Sequence, residues 1–251
     1  MIFRRSFTLK KEVHWWYSPN LESHMPVAVY GHYGAPLLMF PTAAADFEEY
    51  ERFNLISAIA HHIDNGKIKV FTINSINRDS WMSGHVHPGH SAYVQSQYDR
   101  YIAEELVPFI YDNCRSYGIG IATTGASFGA FHAANTFFKH PDQFDTLIGM
   151  SGFYDLRNYF NGYYDDNCYY NNPADYLPRL NDEHYLGRLR HNRIIIVTGQ
   201  GAHEAPDHSR RLSAILNSKG IPHLLDIWGH NVNHDWHWWR VMLNTYIPKL
   251  F

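Results

Sequence analysis

Ser127 lies between Gly125 and Gly129 in the pattern G-A-S-F-G, the spacing typical of a nucleophilic serine. A serine hydroxyl is a weak nucleophile at neutral pH, so it needs a base to take its proton and donors to hold the oxyanion that forms. The apolar run 119–124 predicts a buried strand before the serine, and 128–139 predicts a helix after it. This order of strand, serine and helix favours a catalytic nucleophile over a serine that only caps the helix.

The base for such a serine is expected in the loop after the last strand of the chain. Three histidines lie there: His230, His234 and His237. His230 follows the strand too closely to reach across to the serine, and His237 falls inside a helix predicted over 236–246. His234 comes just before that helix and is therefore the preferred base.

The acid that orients the histidine is expected after the preceding strand, which is predicted over 193–197. Such an acid fixes the histidine tautomer and stabilises the imidazolium that forms during reaction. Two carboxylates qualify. Glu204 is nearer to the end of the strand, whereas Asp207 is placed to cap a helix predicted over 209–218. Glu204 is preferred, and Asp207 stays the alternative acid.

The oxyanion hole needs two N–H donors near the serine. One is expected to be the backbone N–H of Phe128, the residue after the nucleophile. The second is expected from the loop P-T-A-A-A that follows the strand 37–40, where Thr42 and Ala43 are both candidates.

Strand and helix patterns alternate along the whole chain of 251 residues. Two antiparallel strands are predicted within residues 3–30, with a turn near Pro19. The later predicted strands are 37–40, 68–73, 119–124, 146–150, 193–197 and 223–228, and the predicted helices are 47–63, 93–111, 128–139, 209–218 and 236–246. This alternation predicts one α/β domain over residues 1–251, with a mostly parallel sheet and helices on both faces.

One long connection, 153–190, interrupts the alternation and is rich in Tyr, Asn and Asp. A connection of this length is often a lid or the wall of a pocket. Trp81 follows a strand on the side where open α/β sheets form their sites, and Trp236 follows the preferred base. Both tryptophans are candidate pocket walls.

Charge and cysteine content exclude several functions. Lys and Arg number 21 against 24 Asp and Glu, so nothing favours binding to nucleic acid or to an anionic membrane. No window approaches the roughly 18 apolar residues of a membrane span, and the first residues lack the apolar run of a secretory signal. A cytoplasmic location is expected. The two cysteines, Cys114 and Cys168, have neither metal-ligand nor disulfide-framework spacing.

A histidine cluster, His85, His87 and His90, offers a competing hypothesis. Two histidines one residue apart lie on one side of an extended chain, and His90 could complete a zinc-binding face. The spacing is similar to the H-x-H-x-D-H pattern of metallo-β-lactamases, but Gly89 stands where that pattern has Asp. No bound metal is therefore predicted, and a zinc hydrolase is the less favoured alternative.

Four stretches together resemble the branch of the α/β hydrolases that includes esterase D, feruloyl and acetylxylan esterases and the antigen 85 mycolyltransferases. They are F-P-T at 40–42, G-A-S-F-G at 125–129, Q-G-A-H-E at 200–204 and H-D-W-H-W-W at 234–239, and S-G-F-Y-D at 151–155 is also similar. The resemblance covers nearly the whole chain. It implies the α/β-hydrolase fold and a triad of Ser127, His234 and Glu204.

The chain departs from that branch at two places: its acid is Glu where Asp is commoner, and its oxyanion loop lacks the usual His-Gly. The sequence therefore predicts a serine carboxylesterase that forms an acyl-enzyme with a small or medium ester and needs no cofactor. An acyltransferase with the same triad is the alternative.

Overall fold

The computed structural model describes residues 9–251. Its centre is an eight-stranded sheet with the order β1-β2-β4-β3-β5-β6-β7-β8. The pairs β1–β2 and β2–β4 are antiparallel, and all the other pairs are parallel. The strands are β1 Lys11–Ser18, β2 Ser23–Tyr30, β3 Ala35–Phe40, β4 Ile68–Ile73, β5 Ile121–Ala126, β6 Phe144–Met150, β7 Arg193–Thr198 and β8 Leu224–Ile227.

Eleven α-helices surround the sheet in the described part of the chain. They are α1 Glu49–Arg52, α2 Leu55–Asp64, α3 Pro88–Arg100, α4 Val107–Cys114, α5 Phe128–Lys139, α6 Arg157–Phe160, α7 Asp166–Tyr170, α8 Pro173–Arg179, α9 Glu183–His191, α10 Pro206–Ser218 and α11 Trp236–Leu250. A π-helical segment, Tyr101–Leu106, joins α3 to α4, and a 3₁₀ turn covers Asn77–Asp79. The predicted α/β architecture with two antiparallel N-terminal strands is confirmed.

The sheet separates two hydrophobic cores. One core takes apolar side chains from α2 and α11, such as Ile59 and Leu243, and the other takes them from α3, α4, α5 and α10, such as Ile110, Phe137 and Leu216. All six residues of β5 are buried, as expected of a central parallel strand covered on both faces. Because each buried aliphatic or aromatic side chain contributes about 1.5–3 kcal/mol, these cores fix the ends of β5, β6 and β7 firmly.

Several element boundaries differ from the prediction. The helix expected over 47–63 is two helices, because Asn54 adopts a left-handed backbone with φ 59° and ends the first one. Asn tolerates that conformation better than most residues. The helix expected from 93 begins at Pro88, where His87 caps it through a 3.1 Å bond from the Gly89 N–H to Nδ1. The part of the N-terminal prediction before residue 9 lies outside the described residues.

No helix in residues 9–251 combines the length and apolar character needed to span a membrane.

Candidate active site

Ser127 forms a strained turn between β5 and α5. Its φ and ψ are 56° and −121°, a conformation that a non-glycine residue rarely adopts, and its N–H donates to the Met150 carbonyl at 3.0 Å. The two flanking glycines are required by contact: a Cβ on Gly125 would collide with the backbone of Gly129, and a Cβ on Gly129 would collide with the Phe40 carbonyl. The turn therefore has the geometry of a nucleophile elbow.

His234 is held by its own loop against the loop after β7. Its N–H donates to the Ala202 carbonyl at 3.0 Å, and the Asn233 side chain accepts from the Ala202 N–H at 2.8 Å. Asp235 caps α11 by accepting from the Trp238 N–H at 3.2 Å. These bonds fix the histidine directly before the helix, where its side chain is 25% exposed. The other two histidines of this region, His230 and His237, are both exposed.

Glu204 is the carboxylate that lies beside His234. Its side chain is 1% exposed, and Oε2 is 3.7 Å from the Nδ1 of His234. Glu204 also accepts hydrogen bonds from Ser151 Oγ at 2.5 Å and from Thr198 Oγ1 at 2.9 Å. Nδ1 of His234 is buried and has no other hydrogen-bond partner among residues 9–251, so a shift of less than 1 Å would complete a histidine–carboxylate hydrogen bond.

The surroundings of Glu204 keep its carboxylate ionised. Burial raises the pKa of Glu204, but the neighbouring His234 and the hydrogen bonds from Ser151 and Thr198 together outweigh burial, so the pKa lies below its ordinary value. An ionised carboxylate at Nδ1 leaves the Nε2 of the histidine as the nitrogen free to accept a proton.

Asp207, the alternative acid, has a different environment. Its side chain is 78% exposed and pairs with Arg210 at 3.0 Å, within the first turn of α10. A carboxylate there stabilises the helix N-terminus. The structure therefore brings Glu204, and not Asp207, to the histidine.

Ser151 is a residue of this site that sequence reasoning missed. It lies just after β6, is buried, and has a positive φ of 47°. Its hydroxyl donates to Glu204 and accepts from the indole N–H of Trp239 at 3.1 Å, while the Trp239 ring packs edge-on against His234 at 5.0 Å. The only sequence signal was the similarity of 151–155 to the esterase branch, which gave no role to the serine.

Ser151→Ala is expected to lower the free energy of unfolding by about 1–3 kcal/mol, because it leaves the buried Trp239 N–H without an acceptor. Urea unfolding of the variant and the wild type measures this difference. Ser218→Ala is the control, since its exposed hydroxyl bonds to the Ile215 carbonyl; it should change the free energy of unfolding by less than about 0.5 kcal/mol. A Ser151 variant as stable as the wild type would contradict the assigned bridge.

The two predicted loop donors of the oxyanion hole, Thr42 and Ala43, differ in whether their N–H is already hydrogen-bonded. The Thr42 N–H and hydroxyl both bond to the Glu49 carboxylate, at 2.7 and 2.6 Å. The Thr42 N–H is therefore already engaged. Ala43 has a positive φ of 40°, and its N–H has no acceptor among residues 9–251. Phe128 is the first residue of α5, so its N–H has no partner within the helix.

A cavity of about 250 Å³ opens beside His234. Its lining combines aromatic and polar side chains: Ser151, Gly152, Phe153, Asp155, Asn158, Tyr159, His203, Ala205, His208 and His234. Four of these residues belong to the long connection 153–190, which folds into the short helices α6–α9. Part of this connection therefore forms a wall of the cavity.

The two tryptophans proposed as pocket walls pack against other aromatic side chains. Trp81 is buried, donates to Gln95 Oε1 at 3.1 Å and packs edge-on against Tyr159. Trp236 stacks on Phe53 with ring centroids 4.5 Å apart. Neither lines the cavity beside His234. Trp81 packs behind Tyr159, which does line the cavity, whereas Trp236 packs on Trp239, whose ring contacts His234.

The cluster of His85, His87 and His90 does not assemble as a metal face. Nδ1 of His87 accepts the Gly89 N–H as the cap of α3, and its ring packs on Tyr163 at 4.8 Å. Within the range 9–251, no three His, Cys, Asp or Glu side chains are arranged to hold a metal ion.

Comparison with protein families matches residues 18–250 to the family described as "Putative esterase". A curated relative, the uncharacterized protein YjcH of Bacillus subtilis (strain 168), is 25% identical over 166 residues, which are 65% of this chain. The matched stretch spans 63% of the length of YjcH.

Three solved structures superpose on nearly the whole chain. A ferulic acid esterase matches with a TM-score of 0.74 and 18% identity, covering 97% of both chains. An S-formylglutathione hydrolase from Agrobacterium tumefaciens matches at 0.72 and 14%, covering 97% of this chain and 95% of its own. MPT51 of Mycobacterium tuberculosis matches at 0.72 and 18%, covering 96% and 97%. These similarities confirm the predicted α/β-hydrolase fold.

Proposed function

Because the chain belongs to the Putative esterase family, and is thus a carboxylesterase with the α/β-hydrolase fold, we propose that it hydrolyses esters through an acyl-enzyme on Ser127. The observation that carries this proposal is the pair formed by buried, ionised Glu204 and the Nδ1 of His234. Glu204 follows β7 and the strained Ser127 elbow follows β5, so both lie at the carboxyl edge of the parallel strands. Serine, acid and histidine follow in the chain order of α/β hydrolases.

The reaction begins when Ser127 Oγ attacks the ester carbonyl and its proton passes to Nε2 of His234. Glu204 stabilises the imidazolium that results. The N–H groups of Phe128 and Ala43 hold the negative charge that develops on the carbonyl oxygen. The carbon–oxygen bond to the alcohol then breaks, and His234 returns the proton to the leaving oxygen. Water repeats these steps on the acyl-enzyme and releases the acid and free Ser127.

The cavity favours a small or medium substrate. A volume of about 250 Å³ lies just below the usual range of ligand pockets, and it accommodates one substituent of the ester beside His234. Phe153 and Tyr159 offer a flat apolar surface, since their rings stack at 5.9 Å, and Asp155, Asn158 and His208 offer polar partners. An aromatic or hydroxyl-bearing substituent can pack against the apolar rings and form hydrogen bonds with the polar side chains.

The proposal is tested by trapping the intermediate. With p-nitrophenyl acetate and 1 mM EDTA throughout, we expect a burst of nitrophenol close to one equivalent, and acid quenching should leave an acetyl group on the tryptic peptide that contains Ser127. EDTA is included because a zinc hydrolase would lose activity in it. Steady turnover without any acetylated serine, or activity that EDTA removes and zinc restores, would overturn the proposal.

A further inference from the structure

Ala43 is held in place by side chains that have no part in the triad. Its carbonyl oxygen accepts hydrogen bonds from Ser75 Oγ at 2.9 Å and from Asn77 Nδ2 at 2.6 Å. The other end of the Asn77 amide, Oδ1, is 3.0 Å from Nε2 of His132. Asn77 and His132 are 0% and 1% exposed. A chain of two buried polar side chains therefore leads from His132 to the carbonyl of Ala43.

The chemistry of this chain fixes both the amide orientation and the histidine tautomer. The Ala43 carbonyl can only accept, so the amide nitrogen of Asn77 must face it and Oδ1 must face His132. Nε2 of His132 must then carry the proton. Burial lowers the pKa of His132 to about 3, so the ring is neutral and carries one N–H at neutral pH. Its other nitrogen, Nδ1, is buried without a partner among the described residues.

His132 also belongs to the helix that follows the nucleophile. It lies in α5, and its ring stacks on Phe128 with centroids 5.2 Å apart and on Phe40 at 6.2 Å. Phe128 supplies the first oxyanion donor, and Phe40 ends the strand that leads into the loop of Ala43. One buried ring therefore contacts both segments that carry the two donors.

We propose that His132 and Asn77 are positioning residues that set the second oxyanion donor, the Ala43 N–H, at a fixed place relative to Phe128. The inference rests on the proposed function, since it presupposes an oxyanion at this site. The positive φ of Ala43 needs such support, because a non-glycine residue leaves that conformation unless its surroundings hold it. Two bonds to the Ala43 carbonyl fix the Ala43–Ala44 peptide. The Ala43 N–H belongs to the preceding peptide, whose Thr42 carbonyl accepts from the Ala45 N–H at 3.1 Å, so the peptides on both sides of Ala43 are held.

The test compares His132→Asn with His132→Gln. A glutamine amide reaches about as far as Nε2 of histidine and can still donate to Asn77, whereas an asparagine amide stops near Nδ1 and cannot. His62→Asn is the matched control, because Nε2 of the buried His62 contacts Oδ1 of the exposed Asn244 at 3.1 Å in a second His–Asn pair, away from Ala43. All variants are assayed as full chains with p-nitrophenyl acetate, alongside thermal unfolding.

We expect His132→Asn to lower kcat about 10- to 100-fold with KM changed less than about 2-fold, because small misplacements of a reacting geometry cost up to about 10²-fold. The affinity for an aryl trifluoromethyl ketone, whose adduct carries an oxyanion, should fall by the same factor. His132→Gln should recover most of the kcat. His62→Asn should keep the wild-type kcat, whatever it loses in thermal stability.

Equal losses in the Asn and Gln variants, a normal kcat in His132→Asn, or an equal loss in His62→Asn would overturn the inference. Should His132→Asn fail to fold, Asn77→Ala carries the same expectation, since it removes the amide that bonds to Ala43. A wild type without acetyl-Ser127 would instead count against the proposed function, so the two failures are distinguishable.

Discussion

Ser127→Ala is expected to lower the turnover of p-nitrophenyl acetate by about 10⁶, the size of loss typical for removing a nucleophilic serine. The physical reason is that no other hydroxyl occupies the elbow, so the acyl-enzyme cannot form. Alanine has the same preference against a positive φ as serine, so the strain at 56° is unchanged and the fold should survive. Steady-state kinetics measure the loss of turnover, and circular dichroism measures whether the fold survives.

The matched control is Ser80→Ala, which removes a buried hydroxyl that bonds only to the Ile76 carbonyl. This variant should keep wild-type turnover. Activity of Ser127→Ala within about 100-fold of the wild type, in a preparation shown to be free of other esterases, would contradict Ser127 as the nucleophile. A weak residual rate over water is compatible with it, because an oxyanion hole alone still accelerates the reaction.

The sequence was most informative where local pattern and tertiary structure coincide. The elbow is the clearest case: G-A-S-F-G between a predicted strand and a predicted helix is a local pattern, and Ser127 lies between β5 and α5 as predicted. Strand boundaries were less accurate, since β5 begins at Ile121 and continues to Ala126. The break at Asn54 escaped prediction because apolar periodicity continues across a single left-handed residue.

The residues that support the site could not be predicted, because their roles depend on tertiary contacts, most of them with partners distant in the chain. Ser151 bonds to Glu204, 53 positions later, and Asn77 bonds to Ala43, 34 positions earlier. The sequence left Thr42 and Ala43 as equal candidates, because the bond from the Thr42 N–H to Glu49 is seen only in the structure. Serine, asparagine and glutamate are common surface residues, so nothing in their type marks these three as buried.

The choice between Glu204 and Asp207 as the acid also depends on tertiary contacts that the sequence pattern does not show. It leads to the second prediction with a large expected effect on kcat. Glu204→Gln is expected to lower kcat by about 10⁴, the order of loss seen when the acid of a catalytic triad is replaced by its amide. A glutamine keeps the shape and can still accept from Ser151 through its one oxygen, but an NH2 group then takes the place of Oε2 beside Thr198 and His234. The amide also carries no charge to stabilise the imidazolium of His234. It can also present an N–H to Nδ1, which would select the wrong tautomer.

Asp207→Asn is the matched charge-removing change three positions along the chain. Because Asp207 is exposed and pairs only with Arg210, its loss should alter kcat less than about 2-fold and stability by less than about 1 kcal/mol. Measuring kcat for both variants across pH 6–9 compares the two carboxylates directly. A large loss in Asp207→Asn with a mild one in Glu204→Gln would transfer the acid to Asp207. That result would require the loop after β7 to rearrange, since Asp207 would have to give up its ion pair and leave the first turn of α10 to reach His234.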